Sequence, residues 1–126
     1  MTIKQRIQVL TNSIIASDNQ YANEDVQAVE DFISDCGNYV DKVTTMEAAL
    51  SVARFRMEPD EYREFIIRLD RNRKYAHDAL IASVRVMNRL CGVYDVAKIY
   101  EGPDERIPIG DFALEVSTEF FKERKL

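Results

Sequence analysis

A dense run of charge and the chain's one histidine share a single stretch, residues 68–91, which reads RLDRNRKYAHDALIASVRVMNRLC. Arg68–Lys74 holds five charges, and the chain's single histidine, His77, follows, with Asp78 immediately after it. A histidine does acid–base work when a carboxylate or a metal holds its ring. Adjacent residues on a helix point in different directions, so Asp78 is not expected to orient His77. A zinc site would need further nitrogen or thiolate ligands. The chain offers only Cys36 and Cys91, which lack Cys-x-x-Cys spacing.

Nucleophile chemistry has no better footing. There is no Gly-x-Ser-x-Gly elbow, no Gly-x-x-x-x-Gly-Lys phosphate loop and no Gly-x-Gly-x-x-Gly turn. Both cysteines fall on apolar helical stripes, which predicts buried, reduced and inert thiols. The carboxylates lie on solvated faces, and nothing singles out a pair with a raised pKa. A protein that is not an enzyme, with no metal and no cofactor, is the expectation.

On a helical wheel with Arg63 at 0°, Arg63, Arg71, Lys74, Arg85 and Arg89 fall within about 80° of one another. Tyr62, Phe65, Leu69, Ala76, Leu80, Val84, Met87, Leu90 and Cys91 fall on the opposite side, between about 180° and 300°. The five cations form a stripe opposite the core. Such a stripe is a solvated face, a dock for an acidic partner surface, or a nucleic-acid footprint. The nearest acidic surface is the face of residues 24–41, on this chain or on another copy. Arg73, near 280° on the same wheel, lies on the core face. A guanidinium there needs a carboxylate or must snorkel to water. Asp31, Asp35 and Glu47 are its candidate partners. His77 and Asn88 lie at the rim of the same face, so Arg73, His77 and Asn88 are expected to form a buried polar cluster.

The chain has 126 residues, 46% of them hydrophobic and 31% charged, with only four glycines and three prolines. That composition fits a single folded domain, spanning 1–126, that needs no metal or disulfide to fold. So few breakers favour long helices. The N-terminus has no secretion-signal pattern, and no apolar run is long enough to span a bilayer. A cytoplasmic protein with no membrane contact is expected. The net charge of −5 disfavours general nucleic-acid binding. The charge is uneven: residues 63–89 carry seven Lys or Arg against three Asp or Glu, while residues 1–62 carry five against eleven.

The apolar periodicity lays out the elements. Ile3, Ile7, Leu10 and Ile14 mark a helix over 3–16, ended by Ser17, Asp18 and Asn19. Asn23 can cap a second helix, with Val26, Val29, Phe32, Ile33, Cys36, Val40 and Val43 on one side. Gly37 marks either a close helix crossing or an early end. Thr44 and Glu47 have capping-box spacing and predict a separate short helix over about 45–56. Pro59-Asp60-Glu61 starts a helix that runs to Cys91, with Gly92 as the left-handed residue beyond it. At 1.5 Å per residue that helix is about 50 Å long, whereas a compact domain of this size is about 35 Å across. It must therefore bend, form the spine of an elongated bundle, or pack its overhang against a second copy. With no proline or glycine inside to bend it, the last two are preferred. Residues 93–110 read as a small hairpin or an irregular segment. A last helix over about 111–124 turns Phe112, Val116, Phe120 and Phe121 inward, with Glu115 and Glu119 ahead of Lys122, Arg124 and Lys125. The fold class is all-α: a four- to five-helix bundle around one long central helix, about 59–91.

The stretch LDRNRKYAHDALIASVRVMNRLC (69–91), with its basic run before AHDALI and then NRLC, resembles the central helix of a family of small bacterial proteins. That family is a domain of unknown function from Gram-positive bacteria and their phages or mobile elements. The segment IGDFALEV (109–116) is similar to the same pattern. The resemblance implies a cytoplasmic, helical protein, and it carries no catalytic residue. His77-Asp78 also resembles the metal-binding dipeptide of metal-dependent phosphohydrolases, but those sites draw histidines from several helices and this chain has one.

Two functions remain. The first is a non-enzymatic helical protein acting by protein–protein contact, including self-association as a homodimer. The second, less favoured, is a small nucleic-acid-binding or regulatory protein using the basic stripe.

Overall fold

The computed structural model describes residues 1–100 and 108–121. Four helices account for most of them: α1 (Ile3–Ala16), α2 (Ala22–Ala53), α3 (Pro59–Val93) and α4 (Ile109–Phe121). No strand occurs among the described residues. The all-α reading and the long helix from Pro59 both hold.

Local chemistry sets the helix ends. Thr2 and Gln5 form a capping box on α1: the Thr2 hydroxyl accepts the Gln5 N–H at 3.1 Å, and the Gln5 side chain accepts the Thr2 N–H at 2.9 Å. The chain leaves α1 through Asp18, whose φ is 53°; aspartate tolerates this left-handed region better than most residues. Asn19, rather than Asn23, serves the start of α2. Its side chain accepts the Tyr21 N–H at 3.0 Å, and Asn23 lies already inside the helix. Pro59 occupies the first turn of α3, with Asp60 and Glu61 beside it. The left-handed residue beyond α3 is Asp95, at φ 56°, not Gly92, because the helix continues through Val93.

The short helix expected over 45–56 does not exist as a separate element. α2 runs unbroken through Thr44 and Glu47 to Ala53. A capping box works only where its threonine leaves the helical conformation, and no glycine or proline interrupts residues 38–53 to make that happen. Gly37 marks a close crossing: a Cβ placed there would lie 2.7 Å from Cε2 of Phe121 in α4.

α2 and α3 form an antiparallel hairpin closed by residues 54–58. Asp25 accepts a hydrogen bond from Tyr94, Asp35 accepts one from Ser83, and the Tyr39 and His77 rings lie 6.0 Å apart. Numbering rises on one helix as it falls on the other. α2 is the central helix, since it packs against α1, α3 and α4, whereas α3 packs mainly on α2. This corrects the expectation that placed α3 in the centre.

The core occupies only one end of the hairpin. Phe32, Ile7, Leu10, Ile14, Leu80, Met87 and Val116 are all fully buried there. The Phe112 ring meets Phe32 at 6.1 Å and Tyr100 at 4.8 Å. Tyr100 and Ile99 belong to an irregular segment after α3, which Asn88 holds by donating to the Tyr100 carbonyl at 2.6 Å. A hairpin across 101–107 would lie outside the described residues, as do Lys122, Arg124 and Lys125. α1 docks on α4, where the Lys4 N–H donates to Glu119 at 2.6 Å. α4 reaches along α2 as far as Thr44, with which it lines a shared groove, and Tyr39 and Ala76 are the last buried residues of the core cluster toward the closed end of the hairpin. Residues 40–53 and 59–75 continue as a two-helix arm in which Ala53 alone is buried.

This division predicts unequal costs for the same truncation. Phe32→Ala is expected to lower stability by about 3–5 kcal/mol, the usual range for a fully buried phenylalanine. Phe65→Ala, half-buried in the arm, is expected to cost about 1 kcal/mol. Urea denaturation of the two variants checks this contrast.

Candidate functional site

The five cations of the predicted stripe, Arg63, Arg71, Lys74, Arg85 and Arg89, are all exposed on α3. They run along about 39 Å of helix at 1.5 Å per residue. No carboxylate among the described residues lies within ion-pair distance of any of them. The acidic face of α2 in the same chain therefore does not neutralise the stripe. Asp60, Glu64 and Asp78 are interleaved on the same outer face of α3, so it carries both signs.

The structure separates the three residues expected to form a buried polar cluster. No polar or charged residue is buried among the described ones. Arg73 keeps 42% of its side chain exposed and pairs with Asp70, one turn earlier on its own helix, at 2.8 Å. Asp31, Asp35 and Glu47 are not its partners. No residue of α3 before Ala76 is buried, so the guanidinium reaches water along an open flank. Its hydrogen bond to Asp70, and the charge behind that bond, raise its pKa further. His77 packs on the Tyr39 ring with 38% of its side chain exposed. Its Nδ1 lies 3.5 Å from an Asp78 oxygen, closer than the helical spacing of neighbours suggested. Asn88 works elsewhere, pinning Tyr100. Sequence periodicity placed Arg73 on the core face and His77 and Asn88 at its rim, but could not show where along α3 the core ends.

Sequence reasoning missed two features. One is the set of polar bridges across the hairpin, Asp25–Tyr94 and Asp35–Ser83. The Asp25 carboxylate, accepting the Tyr94 hydroxyl, pushes that phenol's pKa up. No local pattern reveals such pairs, because their partners lie far apart in the chain. The other is a groove of about 770 Å³ between α2 and α4, lined by Gly37, Val40, Thr44, Leu114 and Phe121 among others. It has no buried charged group and is chemically bland.

Cys36 and Cys91 are unpaired and buried. Burial, reinforced by the neighbouring Asp35 charge, pushes the Cys36 thiol up to about 12. Burial also raises Cys91. Thiolates are the nucleophilic and metal-binding form, so neither side chain is poised for such chemistry. Among the described residues no three His, Cys, Asp or Glu side chains gather as metal ligands would. No helix among them is long and apolar enough to cross a membrane.

Two outcomes follow for the thiols. A disulfide reagent at neutral pH is expected to leave both unmodified in the folded protein and to modify both after denaturation. The Cys36 thiol has a folded pKa above its ordinary value of 9.0. The fold therefore favours its protonated form, and that contribution is fully present below about pH 9 and lost as pH rises toward about 12. The stability difference between wild type and Cys36→Ala, followed by denaturation across this window, is expected to shrink as pH rises.

No curated protein matches the chain. A family model does match, over residues 2–126, and its description is a protein of unknown function, DUF3232. The match takes in all four helices, the α2–α3 arm and both charged faces, and on it the chain belongs to the DUF3232 family.

Proposed function

We propose that this protein is not an enzyme and acts by protein–protein contact, self-association included, through the arm formed by α2 and α3. One observation carries this reading: two long helices extend past the core, and in that arm Ala53 alone is buried. Two-helix hairpins bury only the seam between them and leave both flanks wet. Along the arm Met46, Leu50, Phe65, Ile66 and Leu69 are only half-buried, while Val52, Phe55 and Ile67 are more than half exposed. Apolar residues spaced for packing but left half-covered mark an interaction surface. The exposed cations of α3 and the acidic residues of α2 add charge complementarity between copies.

A second reading, nucleic-acid binding by the α3 stripe, is favoured by the five exposed cations, which have no carboxylate partner among the described residues. It is opposed by the acids interleaved among them and by the net charge of −5. If it holds, the protein binds a duplex with a salt-dependent affinity that falls when Arg71, Lys74, Arg85 and Arg89 become alanine.

Light scattering tests the first reading directly. The expected result is a mass near twice the 14.6 kDa of one chain at low salt, declining as salt screens the charged faces. One chain's mass at every concentration and salt overturns self-association.

A further inference from the structure

We propose that the outer face of the first half of α3 is a self-complementary surface that docks on the same face of a second copy, antiparallel and centred on Ile67. This rests on the self-association reading above and adds the surface and its orientation.

Ile67 is a large aliphatic residue with 54% of its surface exposed. It lies on the side of α3 opposite the α2 seam. The charges around it are ordered. Between residues 60 and 64 stand three carboxylates and one arginine; between 68 and 74 stand four cations and one carboxylate. The division between these blocks falls at Ile66 and Ile67.

Turning a second α3 end for end about Ile67 sets acidic block against basic block. Asp60 and Lys74 lie equally far from Ile67 on either side, near the midline of its face. Glu64 and Arg71 share one edge of that face, and Arg63 and Asp70 share the other, each at nearly matching distances from Ile67. In a two-fold pairing every contact occurs twice. Each of these opposite-charge pairs would therefore form in both directions, around an Ile67–Ile67 contact on the axis. A parallel pairing instead sets acid against acid and base against base, and like charges repel. The stretch from 60 to 74 is about 21 Å long, and its surface is mostly charged, so it fits a small, reversible interface rather than an obligate one. Nucleic acid fits the same face poorly, because Asp60 and Glu64 would meet phosphates.

Site-directed cross-linking tests the orientation in the full chain. The native thiols are buried and do not compete. Ile67→Cys, on the axis, is expected to form a covalent dimer under mild oxidation. Arg56→Cys, at the arm tip, is expected to stay single, because antiparallel tips lie about 30 Å apart by helix rise. Independently, Glu64→Arg or Arg71→Glu alone is expected to raise the dimer Kd by about tenfold or more, and the double exchange to restore it. Both residues are exposed, and circular dichroism of each variant confirms the fold. A dimer by light scattering in which Arg56→Cys cross-links and Ile67→Cys does not, or in which the double exchange fails to restore, overturns this surface while self-association stands. A single-chain mass throughout overturns both.

Discussion

The antiparallel seam between α2 and α3 is the constraint on which the rest of the molecule depends. It fixes the direction of both long helices. It also presents α2 as the common surface on which α1 and α4 are built. Polar ties set its register: Asp25 with Tyr94 and Asp35 with Ser83. A slip of one helical turn would separate these pairs and strand two carboxylates near the core edge. Apolar packing supplies the cohesion, and the polar ties select one alignment among several that the apolar stripes alone would tolerate.

The seam also explains why the molecule has two unlike ends. At one end, α1, α4 and the segment carrying Ile99 and Tyr100 bring enough apolar surface to bury Phe32 completely. At the other, the same two helices continue with Ala53 alone buried. The arm therefore has the sequence character of a packed helix pair and the exposure of a surface. Helix propensity holds it together where packing is thin: residues 59–75 contain no glycine, and their single proline sits in the first turn.

Much of this was legible in the sequence. The boundaries of α1 and the start of α3 follow from periodicity and from Pro59-Asp60-Glu61, because those signals are local. Gly37 was legible as a crossing or an end, and the crossing proved to be with Phe121. What could not be read was anything set by the third dimension. Thr44 and Glu47 have the spacing of a helix start, yet a strong helix running through them overrides a cap. Arg73 sits on the core face of the wheel, but a wheel does not say where along a helix the core stops. The basic stripe was legible as a face, since exposure opposite an apolar stripe is a matter of angle alone. That α2, rather than α3, is the central helix depends on which elements share neighbours, and one-dimensional periodicity carries no such information.

The docking of α1 on α4, through Lys4 and Glu119, has a consequence for the order in which the molecule assembles. These are the first and last of the four helices to be synthesised. The α2–α3 hairpin consists of contacts between chain neighbours and can close as soon as both helices exist, which is the fast class of folding event. α1 has no complete binding surface until α4 arrives, and Phe32 has no ring partner until Phe112 does. During synthesis the chain therefore passes through a stage in which a formed hairpin presents its bare apolar flank. That nascent surface is the one a chaperone would recognise, or a second growing chain would find.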